Sequence, residues 1–320
     1  NTPNLGRINF TSGYRKLENL TIVNNIVPDF DIDWSTIPAL KTLKLDQMSV
    51  AGDWDISALP NLTNISLAIP NVNSLTFKNL PSLKAAFIDA TNVKSVVLDN
   101  LDSSLILAYP YPALATLDVR NSPQTTLNIQ SYPQLQSLTL QNIPITNLTL
   151  VDIPKLTTLV LNLSALQTFS INNVGITSLE QSNVSQVTSL KVLNTNLSSL
   201  PTAPFVNLND ATFDNVSIND FNFTQIPTAK IVALSNSPMT NVNFTGSSNV
   251  QTLTIRNTNL TGGFVGATMT NLQSLTIVDC PEFDTISTST FPELTAMYLS
   301  NTQLQSISDP RYPKLVTLEI

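Results

Sequence analysis

Residues 133–142 read Pro133-Gln134-Leu135-Gln136-Ser137-Leu138-Thr139-Leu140-Gln141-Asn142, and Pro154-Lys155-Leu156-Thr157-Thr158-Leu159-Val160-Leu161 repeats the pattern 21 places on. The shared unit is P-x-L-x-x-L-x-L-x-N. Its first apolar anchor recurs at Leu17, Leu40, Leu62, Leu83, Leu114, Leu135, Leu156, Val187, Leu208, Ala229, Val250, Leu272, Leu294 and Leu315. Most gaps are 21 or 22 residues, with 23 at the start and 31 at Leu83–Leu114 and Leu156–Val187. A short fixed period over most of a chain predicts a solenoid with one coil per unit.

The pattern also says what one coil looks like. In L-x-x-L-x-L the last two apolar residues alternate with polar ones, which predicts a short strand buried on one face. Stacked coils then pair these strands in parallel. About ten residues later comes a second apolar set, such as Ile145/Leu148/Leu150, Ile218/Phe221/Phe223 and Met239/Val242/Phe244. It lines the opposite wall of the same core. Proline precedes many anchors by two residues, where a missing N–H donor does not interrupt the ladder. No sustained 3.6-residue period occurs, so little helix is expected.

These units resemble the leucine-rich repeat family, most closely at Leu190–Leu197, Leu253–Leu260 and Leu299–Leu304. The resemblance covers nearly the whole chain. It implies an array with a parallel concave β-sheet and short strands or turns on the convex side; a parallel β-helix is the alternative fold. In the family pattern the ninth position turns inward and hydrogen-bonds the turn. Here that position holds Asn25, Ser122, Thr195, Ser237, Thr258, Cys280 or Thr302, while most of the regular asparagines sit one place earlier. Residues 1–320 read as a single solenoid of about 14–15 coils cut from a longer chain. Each 31-residue gap holds an additional half-unit, Val93-Val96-Leu98-Asn100 and Leu166-Phe169-Ile171-Asn173; a local bulge or loop is the favoured reading of both, with a long coil or a change of register as the alternatives.

Composition narrows function. There is no histidine, so Ser-His-Asp and Cys-His catalysis, histidine metal sites and a histidine pH switch are excluded. A net charge of −7 without a basic block disfavours nucleic acid. No apolar run approaches a membrane span. One cysteine, Cys280, excludes a disulfide scaffold and reads as a buried filler. Asp29, Asp31 and Asp33 begin like a calcium loop, but Trp34 stands where that loop needs Gly and Leu40 where it needs Glu. No metal and no cofactor are expected. Trp34 and Trp54 read as core-edge aromatics at similar places in successive coils.

The resemblance implies a non-catalytic recognition module for a protein, peptide or glycan, extracellular or at the cell surface, as the ectodomain of a receptor-like protein. A catalytic domain such as a kinase could lie elsewhere in the full chain. A structural or adhesive surface protein is the alternative; enzyme and ice-binding readings rank far below. Arg120 has acidic neighbours in Asp118 and in Asp99 (or Asp89, if the half-unit loops out), and a solvated ion pair is the favoured reading of that cluster. Candidate ligand contacts are Asp99, Asp118, Arg120, Lys191, Asp214, Arg256 and Tyr298. Candidate glycosylation sites are the twelve N-x-S/T asparagines: Asn9, Asn19, Asn61, Asn64, Asn147, Asn162, Asn183, Asn196, Asn215, Asn222, Asn243 and Asn259.

Overall fold

The computed structural model describes all residues except 1–6, 9–13, 24–28, 31, 102–110, 128, 181, 266, 288–289, 306 and 308–311. Asn9, Asn25 and Asp31 therefore lie outside the described residues. The chain forms two compact units: Asn1–Thr146 with Asp152–Ser164, and Asn147–Val151 with Ala165–Ile320.

Each unit is a parallel β-solenoid, consistent with a leucine-rich repeat array. In the first unit, Asn19–Val23, Thr42–Asp46, Asn64–Ala68 and Ala85–Asp89 form one parallel sheet. A second sheet runs through Gly52–Ser57, Val72–Leu80, Ser95–Leu101, Thr116–Arg120, Ser137–Gln141 and Thr158–Asn162. The second unit's main sheet stacks Thr168–Val174, Ser189–Thr195, Asp210–Val216, Ile231–Ser237, Thr252–Thr258, Ser274–Cys280, Ala296–Thr302 and Thr317–Glu319 in chain order. Its other wall includes Asp220–Asn222 paired with Asn241–Asn243, and Phe264–Val265 paired with Ile286–Ser287. Helix among the described residues is limited to the 3-10 turns Trp34–Thr36, Phe223–Gln225 and Ser247–Asn249. No helix of the described residues is long and apolar enough to cross a membrane.

The expected strands form in register, with Leu117 opposite Leu138 and Leu138 opposite Leu159. They do not, however, all lie in one concave sheet. The reason is the 31-residue gaps, which are neither bulges nor loops. Ser95–Leu101, the additional half-unit of the first gap, pairs backward with Val72–Leu80 and forward with Thr116–Arg120. Val72–Leu80 is the second strand of the repeat anchored at Leu62, and Thr116–Arg120 is the first strand of the repeat anchored at Leu114. The gap is thus one coil of 21 residues plus half a coil, and the leading strand of the repeat moves to the other wall. The second half-unit does the same: Phe169 pairs with Leu190 and Ile171 with Val192. Both walls use the same alternating code, so the phase change costs no burial. Val96, Leu98, Phe169 and Ile171 are all buried.

Two further regularities explain the composition. The asparagines before the inward position take the left-handed backbone region, with φ of 48° to 55° at Asn79, Asn100, Asn121, Asn142, Asn173, Asn194, Asn215, Asn236, Asn257 and Asn301. Asparagine tolerates that region far better than branched residues do. Its side chain then donates along the stack: Asn100 Nδ2 to Asn79 Oδ1 at 2.9 Å, Asn142 to Asn121 at 2.9 Å, and Asn215 to Asn194 at 2.9 Å. Meanwhile the ninth-position hydroxyls of Ser122, Thr195, Ser237 and Thr258 are buried as expected, whereas that of Thr302 is half-buried. Ser122 Oγ donates to the Arg120 carbonyl at 2.8 Å and Ser237 Oγ to the Ser235 carbonyl at 2.8 Å. Threonines at strand starts donate to the preceding coil, as Thr63 Oγ1 does to the Lys41 carbonyl at 3.0 Å and Thr295 Oγ1 to the Gln273 carbonyl at 3.0 Å. Backbone groups at the coil corners are thereby satisfied without a helix.

The core is one apolar stack per unit. In the second, Phe213, Phe221, Phe223, Phe244, Phe264 and Phe283 follow one another with ring centroids 4.3 to 5.6 Å apart. Trp34 and Trp54 are buried, and Trp34 Nε1 donates to the Asp55 carbonyl at 2.6 Å. Asp33 caps a 3-10 turn by accepting from the Ser35 N–H at 3.0 Å. Cys280 is buried, 3.4 Å from the Thr258 hydroxyl.

Candidate functional site

Parallel in-register strands bring every outward residue into a row with its equivalents one coil away, about 4.8 Å apart. On the first unit's second sheet one row is Ser74–Ser95–Thr116–Ser137–Thr158, all hydroxyls. The row nearest the asparagine ladder is Lys78–Asp99–Arg120–Gln141–Asn162. Arg120 forks onto Asp118 of the same strand, with Nε to Oδ1 at 2.6 Å and a terminal nitrogen to Oδ2 at 2.6 Å. The Asp118 hydrogen bond, then its charge, raise the Arg120 pKa, and Asp99 adds to the rise. Lys78 lies 4.0 Å from Asp99, whose Oδ1 also accepts from Asn121 Nδ2 at 2.8 Å. The structure therefore selects Asp99 as the neighbour of Arg120. Asp89 pairs instead with Ala68 on the other sheet, because the half-unit does not loop out. This cluster of two cations and two carboxylates is internally matched. With the Arg120 side chain 43% exposed, it is worth about 0–1 kcal/mol.

The second unit's main sheet presents a different face. Lys191, Thr212, Ala233, Thr254, Thr276 and Tyr298 form its middle row. Leu193, Asp214, Ser235, Arg256, Val278 and Ser300 form the next. Asp214 is engaged, accepting from Ser235 Oγ at 2.8 Å and Asn236 Nδ2 at 2.6 Å. Lys191 and Arg256 are exposed, and among the described residues no ion pair engages either. Arg256 opens onto a cleft of about 490 Å³ that Thr276, Val278, Tyr298, Ser300 and Glu319 also line. A guanidinium, a phenol, two hydroxyls and a carboxylate beside an apolar patch can hold a polar group and an apolar group at once. Tyr and Arg are also the side chains that dominate binding energies at interfaces.

Of the sequence-based candidates, Asp99, Asp118 and Arg120 come together in the first unit. Asp214 and Arg256 share a row in the second, with Lys191 and Tyr298 in the row beside it. Glu319 and Ser300 were missed, because only the register across coils places them in the cleft. Among the eleven described sequon asparagines, ten are exposed and Asn222 is half-buried. Asn19 and Asn64 stand on the first unit's first sheet, and Asn162 on its second. Asn147 begins the strand Asn147–Ile153, which joins the second unit's main sheet beside Thr168–Val174, and Asn215 lies in Asp210–Val216 at the asparagine ladder; none occupies the two rows that hold Lys191, Tyr298, Asp214 and Arg256. Among the described residues no group of three or more carboxylates or thiols could hold a metal ion.

No family model matches the chain, and no curated protein matches its sequence. Its fold is similar to leucine-rich repeat structures. One is the functional domain of InlJ from Listeria monocytogenes, at 15% identity and a TM-score of 0.30, with 81% of this chain and 65% of that one covered. A leucine-rich repeat protein of Leptospira interrogans matches at 15% identity and a TM-score of 0.25, covering 95% and 90%. TLR13, in its complex with ssRNA13, matches at 13% identity and a TM-score of 0.29, covering 91% and 68%. The chain thus spans about two thirds of the InlJ domain. At these scores the likeness is one of repeat architecture and assigns no ligand.

Proposed function

We propose that this leucine-rich repeat solenoid is a non-catalytic recognition module, the ectodomain of a cell-surface receptor-like protein, binding a protein, peptide or glycan on the main sheet of its second unit. The observation that carries the reading is the cleft at Arg256 and Tyr298. It is built on rigid paired strands, holds a cation with no ion-pair partner among the described residues, and lies on rows that carry no sequon asparagine. A site on strands has its geometry set by the ladder, so little ordering entropy is lost on binding. The exposure of the sequon asparagines supports a secreted surface.

The test is a screen of the secreted chain against extracellular-protein and glycan arrays, repeated with Arg256→Ser/Tyr298→Ser and with Arg120→Ser. A specific ligand should weaken at least tenfold for the double variant and change little for Arg120→Ser. Saturable binding indifferent to Arg256 and Tyr298 would move the site elsewhere, and no saturable binding would favour a structural or adhesive role.

A further inference from the structure

The sequons differ once the chain is folded. At Asn61, Asn64 and Asn215 the side-chain Nδ2 is committed to the protein, donating to the Pro38 carbonyl at 3.1 Å, Thr63 Oγ1 at 3.1 Å and Asn194 Oδ1 at 2.9 Å. At Asn183, Asn222 and Asn243 the committed atom is Oδ1. It accepts from the N–H two residues on: Ser185 at 3.4 Å, Thr224 at 3.0 Å and Thr245 at 3.0 Å. That turn holds the amide oxygen against the backbone and directs Nδ2 away from it.

Asn222 and Asn243 are register partners on neighbouring parallel strands, about 4.8 Å apart. Two pyranose rings do not fit side by side at that spacing. Asn222 is half-buried, caps the turn Phe223–Gln225, and accepts a second bond from Thr224 Oγ1 at 2.8 Å. Asn243 is exposed and opens onto a cleft of about 430 Å³ lined by Val242, Phe244, Gly246, Ser248 and Gly263. Gly263 has φ +71°, and a Cβ there would run into the Thr285 carbonyl. The half-exposed Phe244 ring is held by Phe223 at 5.5 Å and Phe264 at 4.3 Å, which gives the cleft a rigid aromatic wall.

We propose that Asn243 is an N-glycosylation site whose first sugar lies in this cleft against Phe244, and that its neighbour Asn222 stays unmodified in the folded protein. The proposal rests on the reading of the chain as a secreted ectodomain. The donor is an oligosaccharide linked through a diphosphate to a lipid. Asn243 Nδ2 forms the bond to the anomeric carbon and loses one proton. The bond from that carbon to the diphosphate oxygen breaks, and the lipid diphosphate leaves with the electron pair. The committed Oδ1 takes no part in the transfer, so the turn stays intact. The sugar's apolar C–H face covers Phe244, while its hydroxyls face solvent, Ser248 and Thr245.

The chain should be expressed behind a secretory leader in a glycosylating host, and occupancy of each sequon mapped by peptide mass spectrometry. Soluble protein should carry sugar at Asn243 and little at Asn222. Thr245→Ala, which removes the sequon but keeps the residue-245 N–H that Asn243 Oδ1 accepts, should lower Tm by about 2 °C or more in glycosylated material and leave bacterially made protein unchanged, as burial of a sugar face predicts. Phe244→Leu should reduce that glycan-dependent difference. An empty Asn243 beside occupied sequons elsewhere, equal occupancy at Asn222, or a Tm loss independent of the sugar would each overturn the proposal. The leader makes this test independent of where the chain naturally resides. The ectodomain reading stands or falls separately, on the ligand screen.

Discussion

The two units present outward faces made from the same kind of strand, but they treat charge in opposite ways. In the first, Lys78, Asp99, Asp118 and Arg120 neutralise one another within two adjacent rows. In the second, Asp214 is taken up by neighbouring Ser and Asn donors, while Lys191 and Arg256 have no ion pair among the described residues. A face whose charges are already matched has little to gain from a partner. A face with an open cation beside an aromatic has something left to offer. Net charge and residue counts do not separate these cases; the register across coils does.

If the difference is confined to the faces, the cores should respond alike. Leu138→Ala in the first unit and Leu253→Ala in the second should each cost about 2–5 kcal/mol in chemical denaturation, because stacked coils close poorly over a hole. A much smaller loss in one unit would mean that the comparison concerns whole units. The asparagine ladder should come next. Asn142→Ala and Asn215→Ala place an ordinary side chain at φ near 53° and remove a ladder bond, which should cost about 1–3 kcal/mol. Glycine at either position should restore part of it, by relieving the backbone alone.

The faces themselves should matter least to stability. Thr139→Ala and Thr254→Ala should each stay within about 0.5 kcal/mol. Arg120→Ala should cost about 0–1 kcal/mol, lost at high salt, whereas Arg256→Ala should leave Tm unchanged. An equal, salt-dependent loss for both arginines would erase the contrast. A final effect belongs to the first unit. Burial pushes the Tyr132 phenol above its usual pKa near 10. The unfolded chain then releases this proton at lower pH than the folded one. Its contribution is fully present below about pH 10 and is lost as pH rises through the folded value. Tyr132→Phe should flatten the alkaline fall in stability measured by urea titration.

Much of this was legible in the sequence. The period, the strands, their parallel pairing and the inward residues follow from P-x-L-x-x-L-x-L, since a two-residue alternation leaves one burial solution per strand. The inward hydroxyls at Ser122, Thr195, Ser237 and Thr258 were read correctly for the same reason. The asparagines one place earlier were seen but not explained, because a left-handed backbone leaves no apolar signature. The 31-residue gaps were misread because the two walls carry one code: Val93-Val96-Leu98 looks the same as an insertion or as a coil's second strand. The site suffered most from this. Asp89 and Asp99 were equivalent partners for Arg120 on paper, and Glu319 was invisible as a neighbour of Tyr298.

The half-coil phase changes carry a consequence for how such a chain diversifies. A whole-coil duplication lengthens the array and leaves each downstream residue on its wall. A half-coil insertion transfers the leading strand of every later repeat to the opposite wall, yet keeps hydrophobic residues inside, because both walls accept the same alternation. Structurally it acts as a frameshift without a penalty in the core. One short insertion can therefore exchange the whole surface that later repeats show to a given side, with no substitution at any of its residues.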